Sequence, residues 1–91
     1  MEKEKIMEIM DSFKEDYGKY SNYIIGYGVS NLKIAEREGF KFKLRKNEAL
    51  EDLCIMVHIE KELPKKIEAK LPKIYKGVRI FYKVVGEIKG F

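Results

Sequence analysis

The sequence predicts an α+β domain in which an N-terminal amphipathic helix packs against a mixed sheet of three or four strands. Three observations predict this class. Apolar residues recur with a helical period at the start of the chain, and later segments alternate as strands do. Two prolines bound a short crossover helix between the last two strands. With 91 residues, 45% of them hydrophobic, we expect one domain over residues 1–91.

The first element is a helix over residues 3–17. Apolar side chains recur at helical spacing and charged residues fill the opposite face. The apolar set is Ile6, Ile9, Met10, Phe13, Tyr17 and Tyr20. Gly18 favours an end of the helix near Tyr17, because glycine readily adopts the left-handed conformation that closes helices.

The second element is a strand over residues 23–29. Aromatic and branched residues occupy one face, whereas Gly26 and Gly28 leave most of the other face bare. Glycine inside a strand is typical of close approach by another segment. We expect a segment to pack over these two glycines, with the first helix as the nearest candidate.

Residues 31–52 fit two interpretations. Ser30 can cap a short helix over residues 31–38 that stops at Gly39. Alternatively, residues 40–45 alternate apolar and basic side chains, as in the far end of a long hairpin. Residues 47–52 have no strand character and predict a turn or one helical turn.

The remaining elements form a predicted β-α-β unit. Residues 53–61 predict a central strand, and residues 78–85 predict the last strand, which residues 87–89 could resume after Gly86. Between them, residues 63–72 carry Leu63, Ile67 and Leu71 at helical spacing, with a proline at the first helical position. The link is long enough for a parallel crossover.

Three segments together carry a resemblance to a known module: residues 24–29, CIMVHIEKELP at 54–64, and LPKIYKGVRI at 71–80 leading to VVGEI. The pattern resembles a small α+β module of uncharacterised microbial proteins. It is also similar to the segment that precedes the protease-like domain in some bacterial trypsin-like proteins. The resemblance covers residues 22–89, with 31–52 poorly matched. It implies a fold and carries over no catalytic residue.

Composition excludes several classes of site. One cysteine excludes an internal disulfide and a multi-cysteine zinc site. The longest apolar run, residues 53–57, is too short to span a membrane, and the N-terminus lacks the apolar region of a signal peptide. We expect a soluble cytoplasmic protein with no membrane partner. Abundant Lys and Glu without Gln are typical of a thermophilic source, although an AT-rich genome also favours Lys.

No catalytic, metal-binding or cofactor-binding residue is predicted. Gly26 and Gly28 invite a phosphate-loop interpretation, but Asn31 stands where a dinucleotide fingerprint needs a small residue. His58 is the only histidine. It lies four positions from Cys54 on one strand, roughly 13 Å away at the usual rise, which is too far for a nucleophile–base pair.

Charge is concentrated in the last third of the chain. Residues 63–91 hold eight Lys/Arg and two Asp/Glu, whereas residues 1–31 have an excess of acids. Candidate anion or nucleic-acid contacts are Lys66, Lys70, Lys73, Arg79 and Lys83. A solvated lysine face is the alternative interpretation of these residues.

The function predicted is a non-catalytic binding or protein-interaction module. We expect a homodimer, or a complex with another protein, with Tyr23 and Tyr27 as candidate interface residues because the strand that carries them is tyrosine-rich. The alternative function is RNA or DNA binding through the basic last third of the chain.

Overall fold

A four-stranded mixed sheet organises the chain, which a computed structural model describes over residues 2–86. In spatial order, β1 (Ile24–Asn31) pairs antiparallel with β2 (Leu53–Ile59), and β2 pairs parallel with β4 (Val78–Val84). β3 (Ile74–Tyr75) pairs antiparallel with β4 and lies at the far edge. The predicted α+β class is confirmed.

Helix α1 (Lys3–Asp16) covers one face of the sheet. Its buried residues are Ile6, Ile9, Met10 and Phe13, four of the six that the helical period identified. They pack against alternate residues of β2 and β4, including Ile55, Val57, Val78 and Ile80. A 3₁₀ turn (Gly18–Tyr23) then leads into β1, so the predicted end of the helix near Tyr17 is confirmed within one residue. Gly18 does not adopt the left-handed conformation that was the reason for this prediction.

Residues 31–52, for which the sequence allowed two interpretations, contain a helix and not a hairpin. Helix α2 (Leu32–Arg37) begins after Asn31, whose side-chain Oδ1 accepts a hydrogen bond from the Ile34 amide at 2.8 Å. The cap is therefore Asn31 and not Ser30. Residues 40–46 form no strand, because Phe40 and Phe42 turn onto the second face of the sheet.

The expectation that α1 covers the two glycines is wrong. Tyr27 and Val29 face α1, so the alternate residues Gly26 and Gly28 face the opposite side. The imidazole of His58 covers them there: a Cβ built on Gly26 would lie 3.5 Å from Nδ1. Both glycines are paired within β1, so they form no phosphate-binding loop.

The crossover contains α3 (Lys65–Glu68), which is shorter than the predicted helix over residues 63–72. Pro64 precedes the helix and is not its first residue, the position that was predicted, because its ψ of 145° is that of extended backbone. The crossover connects the parallel strands β2 and β4. Strand β3 was not predicted, because two residues are too few to show a period. Its turn contains Lys76 and Gly77, both with positive φ (49° and 82°), the conformation of a tight hairpin. The predicted resumption at residues 87–89 lies outside the described residues.

Candidate functional site

The five predicted basic contacts fall into two groups. Lys66 lies in α3, and Lys70 and Lys73 follow it. All three are exposed, and within residues 2–86 none forms an ion pair. Arg79 and Lys83 project from β4, and both are paired with a carboxylate. The structure therefore does not bring the five together as one free basic surface.

Arg79 is bound to a loop that sequence reasoning did not connect with it. Its Nε donates to Glu48 Oε2 at 2.8 Å, and its guanidinium also donates to the Lys43 carbonyl at 2.6 Å. Arg45 donates to the same carboxylate at 3.0 Å. Mainly because of the hydrogen bond from Arg79, the pKa of Glu48 is lowered to about 2. The charge of Arg79 thus ties residues 43–48 to the sheet.

Lys83 lies on the face of the sheet that carries Cys54 and His58. Its Nζ is 2.8 Å from Glu38 Oε2. Cys54 is fully buried, and burial together with the charge of Glu38 raises its thiol pKa to about 11. A thiol with so high a pKa stays protonated near neutral pH and is a poor nucleophile. The Cys54–His58 pair has no catalytic geometry here.

A polar chain joins α1 to the β3–β4 turn. Lys76 Nζ donates to Ser12 Oγ at 2.7 Å, and the hydroxyl of Tyr75 donates to Asp16. Ser12 and Tyr75 are 2.8 Å apart, so the serine must give its proton to the tyrosine oxygen. No base therefore accepts the Ser12 proton. The cluster holds two elements together and does not activate a nucleophile.

The aromatic rings near the basic residues are packed inside the fold. Tyr75 and Phe81 are buried. Tyr82 donates from its hydroxyl to the Pro72 carbonyl at 2.5 Å, and burial raises its pKa. A base cannot stack on rings enclosed in this way, because stacking needs an exposed face.

The two candidate interface tyrosines have different positions. Tyr23 is half-buried at the end of the 3₁₀ turn that precedes β1. Tyr27 lies in β1 with its ring 6.1 Å from that of Phe13 and 5.1 Å from Lys14 Nζ. Burial raises the pKa of Tyr27. The ring of Tyr27 thus belongs to the layer between the sheet and α1.

The outer edge of β1 is open along the described chain. The strand has eight residues, none of them charged and none a proline, and within residues 2–86 it pairs only with β2. The Leu32 amide donates inward to the backbone carbonyl of Asp52 at 3.0 Å. Because backbone groups alternate along a regular strand, Tyr27, Val29 and Asn31, which follow the bulge, point theirs outward. The side chain of Ile25 is 56% exposed beside a bulge.

Where β3 forms the opposite edge of the sheet, that edge is protected from strand pairing. β3 has only two residues, and exposed Lys73 and Lys76 flank it. Short length and lysines are devices that block strand pairing at an edge. Further along β4, past the two residues that pair with β3, a groove of about 380 Å³ lies beside the strand. Its apolar walls include Phe40, Phe42 and Leu71.

No cluster of three or more His, Cys, Asp or Glu side chains that could hold a metal ion occurs in residues 2–86. Over the same range, no helix is both long and apolar enough to cross a bilayer. Comparisons with protein-family models, curated proteins and solved structures returned no match to this chain. The resemblance to the module of trypsin-like proteins therefore stays a prediction.

Proposed function

We propose that the protein is a non-catalytic protein-interaction module that pairs with a second copy of itself through the outer edge of β1. The open, uncharged eight-residue edge strand carries the proposal. Exposed edge strands without lysine, proline or a covering element are templates for pairing with another chain. Where β3 forms the other edge of the sheet, that edge has the protective features that β1 lacks.

The charge pattern allows a second copy to pair at this edge. The chain has a net charge of +4, so most of its surfaces would meet like charge in a symmetric dimer. The edge of β1 has no charge and avoids this repulsion. Antiparallel pairing about a two-fold axis at Gly28 would set Tyr27 beside the partner's Val29, an aromatic–branched pair of the kind that stabilises sheets.

The predicted interface tyrosines fit this geometry in different ways. Tyr27 contributes its outward backbone groups while its ring stays beneath α1. Tyr23 lies just before the strand, where the half-exposed ring extends the contact beyond the bulge. Main-chain hydrogen bonds would therefore supply most of the recognition, and the tyrosines would flank them.

Ile25→Lys tests the proposal. Light scattering after size exclusion should give twice the 10.7 kDa chain mass for the wild type and the single-chain mass for Ile25→Lys. With the axis at Gly28, residue 25 lies opposite the partner's Asn31, so the lysine would bring a charge into an edge that has none. Ile34→Lys is the matched control, because Ile34 is also an exposed isoleucine (40%, against 56% for Ile25) but lies on α2. A wild type that stays at 10.7 kDa at high concentration contradicts self-pairing.

Nucleic-acid binding is the second candidate, and exposed Lys66, Lys70 and Lys73 favour it. It has less support than self-pairing for two reasons. Arg79 and Lys83 are already paired with carboxylates, and the neighbouring aromatic rings are enclosed. The remaining lysines resemble a solvated face as much as a phosphate-binding surface.

A further inference from the structure

The groove beside β4 lies along the backbone of that strand. Ile80, Phe81 and Tyr82 are consecutive, and all three line it. Their side chains alternate between the two faces of the sheet. A surface that touches all three must therefore include the strand edge.

The backbone at this edge has free hydrogen-bonding capacity. The Ile80 amide donates outward to the Lys73 carbonyl at 2.9 Å, whereas the Val85 amide donates inward to Ile59 at 2.9 Å. By alternation, Tyr82 and Val84 present their amides and carbonyls outward. Over residues 2–86, β4 has a strand partner on this side only at Val78 and Arg79.

The walls of the groove are apolar on both sides of the sheet plane. On one side Phe40 and Phe42 lie 5.1 and 5.3 Å from the ring of Phe81. On the other side are Leu63 and Leu71. An added strand would send successive side chains alternately into these two walls.

The surroundings of the groove are basic. The two flanking segments, residues 40–46 and 62–73, hold eight Lys/Arg and two Glu, and one of the eight, Arg45, is paired with Glu48. Lys41 and Lys73 line the groove, and within the described chain neither forms an ion pair. Glu62 and Glu68 also line the groove and offset the charges of these two lysines. The excess of basic residues therefore comes from the neighbouring segments and not from the lining itself.

From these four features we infer that the groove binds an extended acidic peptide, which adds a strand to the outer edge of β4. The peptide backbone would pair with Tyr82 and Val84, its apolar side chains would enter the two walls, and flanking acids would face the lysines. Nucleic acid fits less well, because it has no amide backbone to pair with a strand edge. This site lies at the opposite edge of the sheet from the proposed dimer contact and does not depend on it.

Fluorescence anisotropy with a labelled Glu-Glu-Val-Ile-Val-Glu-Glu peptide tests the inference. We expect saturable binding that weakens with salt, and none by the same peptide with Lys in place of Glu. A version N-methylated at the three apolar residues cannot donate to a strand edge and should also fail to bind. If the N-methylated peptide binds as well as the unmodified one, strand addition is overturned. If the lysine peptide binds equally well, recognition of acidic charge is overturned.

A matched pair of charge reversals locates the site. Lys41→Glu/Lys73→Glu should raise the Kd of the acidic peptide about tenfold or more, since two attractive charges become repulsive. Lys3→Glu/Lys33→Glu makes the same change in net charge at exposed positions outside the groove and should leave the Kd within about twofold. Equal losses in both variants would show only a general charge effect and overturn the site.

Labelled oligouridine RNA is the competing probe. Binding of RNA without binding of the acidic peptide would overturn the inference in favour of nucleic acid. Circular dichroism of each variant verifies that the fold is intact. Because Ile25→Lys alters the other edge, that variant should bind the peptide like the wild type, so failure of the dimer and failure of the groove are separable.

Discussion

Glu48 accepts hydrogen bonds from two arginines and from one backbone amide, and its side chain is only 9% exposed. Its carboxylate is the common acceptor for Arg45 and Arg79, and it thereby joins the loop over residues 43–48 to β4. Removing a carboxylate from such a site leaves the guanidinium of half-buried Arg79 without its partner. The effect on stability depends on pH, because only the ionised carboxylate makes these bonds at full strength.

Glu48→Gln should lower the free energy of unfolding at pH 7 by about 1–2 kcal/mol, allowing for solvent screening. The pKa of Glu48 falls from 4.5 to about 2 on folding, so the wild-type advantage is complete above pH 5 and is lost as pH falls toward 2. Urea unfolding at several pH values measures the difference. Glu51→Gln, at an exposed glutamate, is the control. A difference that stays constant from pH 7 to pH 2 contradicts the assignment.

Residue-level contacts were the least predictable part of the molecule. The sequence placed Arg79 on a strand, but its partner Glu48 lies 31 positions away in a loop with no periodic pattern. The two glycines of β1 indicated a covering group, yet the register with β2 decides that the group is His58. Contact partners that lie far apart in the sequence are brought together only by the fold, so no regular spacing of residues identifies them in advance.

Elements whose apolar pattern repeats over many residues were predicted well. Helix α1 starts at the predicted residue and ends one residue early, because an apolar stripe repeated over several turns has few alternative placements. The strand predicted at 23–29 is observed at Ile24–Asn31. Residues 40–46 alternate like a strand but form none, since Phe40 and Phe42 bury themselves against Phe81 instead.

Phe13 is the residue on which the attachment of α1 depends most clearly. It is fully buried, and its ring lies 4.8 Å from that of Tyr17 and 5.4 Å from that of Tyr75. Phe13→Ala should destabilise the fold by about 3–5 kcal/mol, because it removes a large apolar side chain and leaves a cavity. Met7→Ala, on the same helix but 40% exposed, should cost under about 1 kcal/mol. Urea unfolding compares the two, and equal losses would contradict this packing.

At the scale of the whole molecule, one sheet is shared by two apolar layers. α1 packs on one face, and α2 with residues 40–50 packs on the other. Strand β2 is therefore enclosed on both sides, which explains its continuous run of buried residues from Cys54 to Val57. The faces are occupied, so the two edges are the parts of the sheet left for partners.

If the β1 edge joins two copies, thermal stability must depend on protein concentration. Association that occurs only in the folded state stabilises that state by mass action. A tenfold increase in concentration adds about 1.4 kcal/mol per dimer, which for a chain of this size raises Tm by roughly 3–5 °C. Differential scanning calorimetry should show this rise for the wild type and for Ile34→Lys, and a constant Tm for Ile25→Lys. The same Tm at every wild-type concentration would mean that the edge of β1 stays unpaired in solution.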